Sequence, residues 1–285
     1  MPVISKASLA LHRARAFRTA PGLRVTTLDE AVDFVNERGF TFFWPVKNAI
    51  APSLWAAVAG DRPVPDEHDD PGHVTWGWKD SLLGKKRLFY ARILKHRNTF
   101  ISLNLLPNFY ALSPNYGEPA EDYLIDYEAG KLTAEAKNLY EAVLQNGPID
   151  TVALRKAARM TSRNSDALFN KALDGLQLTF RLLPIGIAQA GAWKYAFIYD
   201  IVARHYPDIV ELAHPISEWD ARRALIRAYL LSVGAARPVE VARMFGWPAN
   251  VLERALRKLF ETGDILGEVE IEGETGSYLA FPALV

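Results

Sequence analysis

The runs Lys171-Ala172-Leu173-Asp174-Gly175-Leu176 and Arg254-Ala255-Leu256-Arg257-Lys258-Leu259 occupy the same place in two successive segments of the same order. In the first segment Thr133 opens a helix with Leu139, Tyr140, Val143 and Leu144 on one face, and Asn146-Gly147-Pro148 stops it. Thr151–Met160 reads as a second helix, and Leu168, Phe169, Ala172, Leu173 and Leu176 form the stripe of a third. Two β-rich runs follow, LTFRLLPIGIA and GAWKYAFIY. The second segment repeats this. Ser217 and Asp220 cap a helix through Leu225, Ile226, Tyr229, Leu230 and Val233, and Pro238–Phe245 gives a short helix. Val251, Leu252, Ala255, Leu256, Leu259 and Phe260 stripe a third. ILGEVEIE then alternates, turns at Gly273-Glu274-Thr275-Gly276 and returns as SYLAF. Helix, short helix, helix and hairpin is the order of a winged helix, so few other folds fit this half of the chain.

The expected fold is therefore α+β, mainly helical, with tandem winged-helix modules. Residues 131–214 form one module and 215–285 the other. Residues 1–130 read as a mixed α/β unit that a divergent winged helix would also explain. There, 6–18 is a short basic helix, and Thr27 with Glu30 makes a capping box for a helix ending at Gly39. FTFFWPVKN (40–48) reads as extended, and Ser53 opens a helix to Gly60. The Pro- and Asp-rich stretch 61–73 is a loop, RLFYARIL and NTFISL form a hairpin, and NLLPNFYAL and 119–128 are helical.

Composition removes several functions. The 285 residues contain no cysteine, which rules out disulfides, thiolate metal sites and cysteine nucleophiles. The N-terminal segment has Lys6, Arg13, Arg15 and Arg18 interrupting its apolar residues and does not read as a secretory signal. No apolar run is long enough to span a bilayer, so the expectation is a cytoplasmic protein with no membrane partner. Lys and Arg total 33 against 33 Asp and Glu. The balance hides local excess: residues 1–24 hold five cations and no acid, and 79–97 hold Lys79, Lys85, Lys86, Arg87, Arg92, Lys95 and Arg97 against Asp80 alone. Compensating acid sits at 118–128 and 261–274.

Chemistry-bearing residues fall into four groups. On the third helix of a winged helix, outward side chains meet the major groove. Those are Arg163, Asn164, Asn170 and Lys171 in the first copy and Arg254, Arg257 and Lys258 in the second; a solvated helix face is the alternative. The stretch 76–97 interleaves aromatics with Lys79, Lys85, Lys86, Arg87 and Arg92, a composition that suits stacked bases and bound phosphates. The alternative there is core aromatics beside a charged strand edge. Trp44, Lys47, Asn48, Trp76 and Trp78 are candidates for a pocket. Asp66, Glu67, His68, Asp69, Asp70 and His73 carry metal-ligand chemistry without ligand spacing and read as a solvated loop, so no metal and no cofactor are expected. No phosphate-cradling loop, nucleophile elbow or zinc-protease motif occurs.

AWKYAFIYDIVARHYPD (192–208) followed by ARRALIRAYLLSVGAARPVEVARMFGW (221–247) resembles the AlkZ/YcaQ-type winged-helix proteins. NGPIDTVALRKAARM and LFNKALDGLQ fit as well, and VNERGF…APSLWAAVAG has a comparable layout. The resemblance implies tandem winged helices around a concave surface for double-stranded DNA. It also implies metal-free DNA glycosylases acting on alkylated or crosslinked bases through a Gln-x-Gln or Gln-x-Asp pair. The only glutamines here are Gln145, Gln177 and Gln189, and none is paired in that way. FTFFWPVKN stands where the motif would fall, so no catalytic residue is carried over. Three functions follow: a repair protein with or without glycosylase activity, a non-catalytic DNA-binding regulator or damage sensor, and a protein-interaction module with a protein partner. A monomer is expected in each case.

Overall fold

The computed structural model describes residues 2–65 and 70–285. The chain opens with β1 (Val3–Ile4) and α1 (Lys6–Ala16), whose N-terminus is capped by Ser5. Next come α2 (Leu28–Arg38), β2 (Phe40–Phe42), α3 (Leu54–Ala59), α4 (Asp70–Leu82), β3 (Leu88–Arg92) and β4 (Asn98–Ser102). Thr27 and Glu30 close the expected capping box on α2 in both directions, at 3.2 Å each. Two linking helices, α5 (Leu106–Tyr110) and α6 (Asp122–Glu128), lead to α7 (Ala134–Asn146), β5 (Ile149–Asp150), α8 (Thr151–Ala157), α9 (Asp166–Leu178), β6 (Leu182–Ala188) and β7 (Ala196–Ile201). After α10 (Val202–His205) and α11 (Ile209–Ala213) come α12 (Glu218–Val233), β8 (Ala235–Ala236), α13 (Pro238–Phe245), α14 (Ala249–Glu261), β9 (Leu266–Ile271) and β10 (Tyr278–Ala280).

One unit thus occurs three times: helix, short strand, two helices, hairpin. Its sheet also repeats. In each case the second hairpin strand is central, giving the orders β2-β4-β3, β5-β7-β6 and β8-β10-β9. The third sheet gains β1, which runs parallel to β9 with Val3 opposite Glu270.

Two expectations need correction. Only 40–42 of the stretch 40–48 is strand, because Pro45 has no N–H to continue a ladder; Lys47 and Asn48 form an exposed turn. The stretch 61–73 is not all loop, since α4 begins at Asp70 with Pro71 tolerated in its first turn. Asp66, Glu67, His68 and Asp69 lie outside the described residues.

The third helices of the last two units bury matching positions, Ala172, Leu173 and Leu176 on α9 and Ala255, Leu256 and Leu259 on α14. The middle unit keeps a core of its own, with Leu139, Val143, Leu154, Phe169 and Leu176 at its centre. The first and third units share one, in which Phe40, Phe89, Phe109, Tyr229 and Leu230 pack together. Each fully buried side chain of this size stabilises by about 1.5–3 kcal/mol. Close backbone approach fixes how the first two units meet. Gly84, at φ +71°, lies against the Ile185 carbonyl so closely that any Cβ would collide with it.

Candidate nucleic-acid interface

Lys79 does not sit where a surface phosphate contact would. It is 1% exposed, on the face of α4 turned toward the root of β7. Its Nζ donates to Tyr195 Oη at 2.6 Å and lies 2.7 Å from Asp80 Oδ1, while Tyr195 Oη donates to Asp80 Oδ1 at 2.8 Å. The Trp76, Phe197 and Tyr195 rings box the same nitrogen, with centroids at 4.2, 4.8 and 5.3 Å. Burial pulls the Lys79 pKa down, opposed by Asp80. Burial raises that of Tyr195, and its bond to Asp80 raises it further. This triangle clamps the first unit to the hairpin of the second and is satisfied without a ligand.

The rest of the basic stretch divides in two. Lys85 and Lys86 are exposed and have no carboxylate within ion-pair distance among the described residues. Arg87 pairs with Asp29 at 2.7 Å. Arg92 forks onto both Asp174 oxygens at 2.8 and 3.0 Å, and its backbone N–H donates to Gln177. Arg92 and Gln177 therefore tie β3 to α9, which leaves Arg92 little charge to offer a ligand.

The third-helix candidates of the two later units differ in the same way. Arg163, Asn164, Asn170 and Lys171 are all exposed along the start and outer face of α9, and neither cation is paired among the described residues. On α14 the Arg254 guanidinium lies 4.1 Å from the Trp219 ring centroid, Lys258 pairs with Glu261 at 3.3 Å, and Arg257 is exposed. The hairpins follow suit. From Gly175 to Tyr199 the sequence holds no Asp or Glu, and the β6–β7 turn ends on Trp193, 91% exposed, and Lys194. The third hairpin exposes Glu268, Glu270, Glu272 and Glu274.

Among the expected pocket residues, Trp44 and Trp76 come together on either side of Phe43, with ring centroids 5.4 and 6.1 Å from it. Trp44 also lies 5.8 Å from Trp55, and Trp78 packs on the core of the first unit. Lys47 and Asn48 stand on an exposed turn.

A site that sequence reasoning missed lies where the three units meet. A cavity of about 750 Å³ is lined by Lys95 and His96 of the β3–β4 turn, Phe109 and Leu112, the end of α9 with Thr179, and Arg243–Trp247 between α13 and α14. Its lining includes three cationic or protonatable side chains, Lys95, His96 and Arg243, and no carboxylate. Phe245 and Trp247 stack at 4.6 Å with their planes 20° apart. The only prior signal was the aromatic Phe245-Gly246-Trp247 punctuation after α13.

Among the described residues, no group of three or more His, Asp or Glu is placed to hold a metal, and no helix is long and apolar enough to cross a membrane.

Three units of one topology, two of them with cationic hairpins and all meeting at a positively lined cavity, define a modular α+β protein of small, mainly antiparallel sheets and predominant helix. The chain belongs to the AlkZ-related family, whose model matches residues 25–246. Its structure is similar to that of the Streptomyces sahachiroi DNA glycosylase AlkZ, with a TM-score of 0.56 and 13% identity over 99% of this chain and 71% of that one. No curated protein matches it.

Proposed function

We propose that this chain is a DNA-repair protein that binds double-stranded DNA through tandem winged helices, the three repeated units being those modules. The observation that carries this reading is the second unit. Its third helix offers Lys171 unpaired, with Arg163 unpaired in the turn just before it, and its wing holds no carboxylate before Asp200 and is tipped by Trp193 and Lys194. A third helix with free cations can meet phosphates and base edges, and a wing of this kind can meet the backbone beside them. Lys85 and Lys86 add cations on the first unit. Family membership, and the likeness to a protein named as a DNA glycosylase, support repair as the setting.

Base excision is the enzymatic form of the proposal. The missing glutamine pair favours a second form, recognition of DNA without catalysis. Two measurements separate them. Mobility shift of duplex DNA across a salt series tests binding, and a steep fall in affinity with salt is expected. Incubation with duplexes carrying an N7-alkylpurine or a crosslink tests excision. Base release supports the enzyme, whereas tight binding with no release supports recognition alone. Affinity that ignores salt would remove the DNA reading altogether.

A further inference from the structure

We propose that the cavity at the junction of the three units binds one nucleotide, an aromatic base carrying a phosphate. The proposal deepens the DNA-binding reading and rests on it only for the source of that nucleotide. A volume of about 750 Å³ lies within the range of small-ligand sites. The walls supply both halves of the recognition.

For the base there is an apolar wall edged by Trp247, whose ring faces are taken by Phe245 and by the Arg222 guanidinium, 4.7 Å from its centroid. Arg222 is held by Glu218, and its Nη1 is buried with no hydrogen-bond partner. Phe109, Leu178, Phe180 and Met244 continue the apolar wall. Burying an aromatic base against such rings is favourable whatever its identity, because every base has a π-face.

For the phosphate there is charge with nothing to cancel it. Lys95, His96 and Arg243 line the cavity, no carboxylate does, and none of the three has an ion-pair partner among the described residues. In a chain with equal numbers of acidic and basic residues, such a concentration is a local arrangement and not a consequence of composition. The backbone adds to this. Lys95 and His96 are consecutive left-handed residues, at φ +53° and +55°, a conformation that costs energy for side-chain-bearing residues and persists where surrounding structure holds it. It brings both side chains of one tight turn to the cavity wall.

The hydroxyls of the wall are already engaged. Ser113 donates to the Tyr110 carbonyl and Thr179 to the Gly175 carbonyl. Few donors are left to read a base edge, so stacking and charge dominate and discrimination among bases is weak.

The test uses the full chain, with deoxyadenosine monophosphate, deoxyadenosine and inorganic phosphate titrated separately by calorimetry. The monophosphate is expected to bind about tenfold more tightly than either fragment. R243E, on an exposed side chain, should lose about tenfold in that affinity while its thermal midpoint stays put. W247F, which keeps a ring, should retain most of it and W247A should not. A duplex with a single bulged nucleotide then identifies the source. Preference for the bulge over a perfect duplex, lost in R243E, points to a nucleotide swung out of DNA. Monophosphate binding with no bulge preference points to a free nucleotide. Equal affinity for all three probes, or R243E binding as the parent does, overturns the site even if the perfect duplex still binds. Monophosphate binding by a chain that ignores duplex DNA keeps the site and removes the DNA reading.

Discussion

The hairpin of the second unit and that of the third have the same strand order and opposite surfaces. The second carries no carboxylate before Asp200 and ends on an exposed tryptophan beside a lysine. The third lines β9 with Glu268 and Glu270, adds Glu272 just beyond it, and has its outer edge taken by β1. The chain's start is fastened there too. Lys6 Nζ donates to the Gly273 carbonyl, and Arg13 donates to the Val233 and Ala235 carbonyls at 3.0 and 2.9 Å. One scaffold has been put to two uses: the third hairpin secures the N-terminus, and the second, clamped to the first unit through Tyr195, keeps its Trp193 tip exposed. Topology alone does not say which copy meets a ligand; under the proposed function, surface charge and edge occupancy assign that role.

The root of the second hairpin is where this contrast can be broken most severely. Arg181, just before β6, is 3% exposed and pairs with Asp126 of α6 at 2.7 Å. Asp126→Ala leaves a buried guanidinium unopposed and should cost about 3–5 kcal/mol in chemical denaturation. A loss below about 1 kcal/mol would mean the pair does not anchor this unit. The tip comes next. Trp193→Ala should weaken duplex binding by about 1.5–3 kcal/mol through lost burial against the DNA backbone, with the fold unchanged by circular dichroism. Equal affinity would move the contact elsewhere.

A smaller effect is expected at the clamp. Tyr195→Phe removes the hydroxyl shared by Lys79 and Asp80, which still pair with each other, and should destabilise by about 0.5–1.5 kcal/mol in thermal or urea unfolding. No change would mean that Lys79 and Asp80 suffice alone. The smallest effect concerns pH. Burial holds His12 and His205 below the ordinary histidine value of 6.5, with Arg38 and Arg13 adding to the shift at His12, and Lys86 adding to it while Asp200 opposes it at His205. Below that value the unfolded chain binds protons that the folded chain refuses. Stability is therefore complete above it and declines as pH falls through the folded-state pKa values. The double variant His12→Gln/His205→Gln should flatten the decline between neutral and mildly acidic pH; an unaltered slope would assign it to other groups.

The contrast also explains what could be read from sequence. The α14 stripe and the alternation of β9 are local periodic signals; Leu252, Ala255, Leu256, Leu259, Val269 and Ile271 are buried as expected, while Phe260 at the end of the stripe is exposed. The third helix of the first unit was hidden. Within α4, Pro71, Gly72 and Gly77 interrupt the pattern, and the buried positions include Thr75 and Lys79 where a stripe would show aliphatics. Lys79 looked like a surface cation because its ring partners Tyr195 and Phe197 are distant in sequence. Strands β5 and β8 have two residues each, too few to show alternation. The junction cavity draws on segments from all three units, so no window of sequence contains it.

The most direct test measures duplex affinity against salt for three proteins: the parent, Arg163→Glu/Lys171→Glu at and just before α9 (the α9 variant), and Arg257→Glu/Lys258→Glu on α14. The account predicts a steep slope for the parent, lowered by about 2 in the α9 variant and nearly kept in the α14 variant. A slope that only the α14 variant lowers would contradict it, because the acidic, N-terminus-bound unit would then be the one holding DNA.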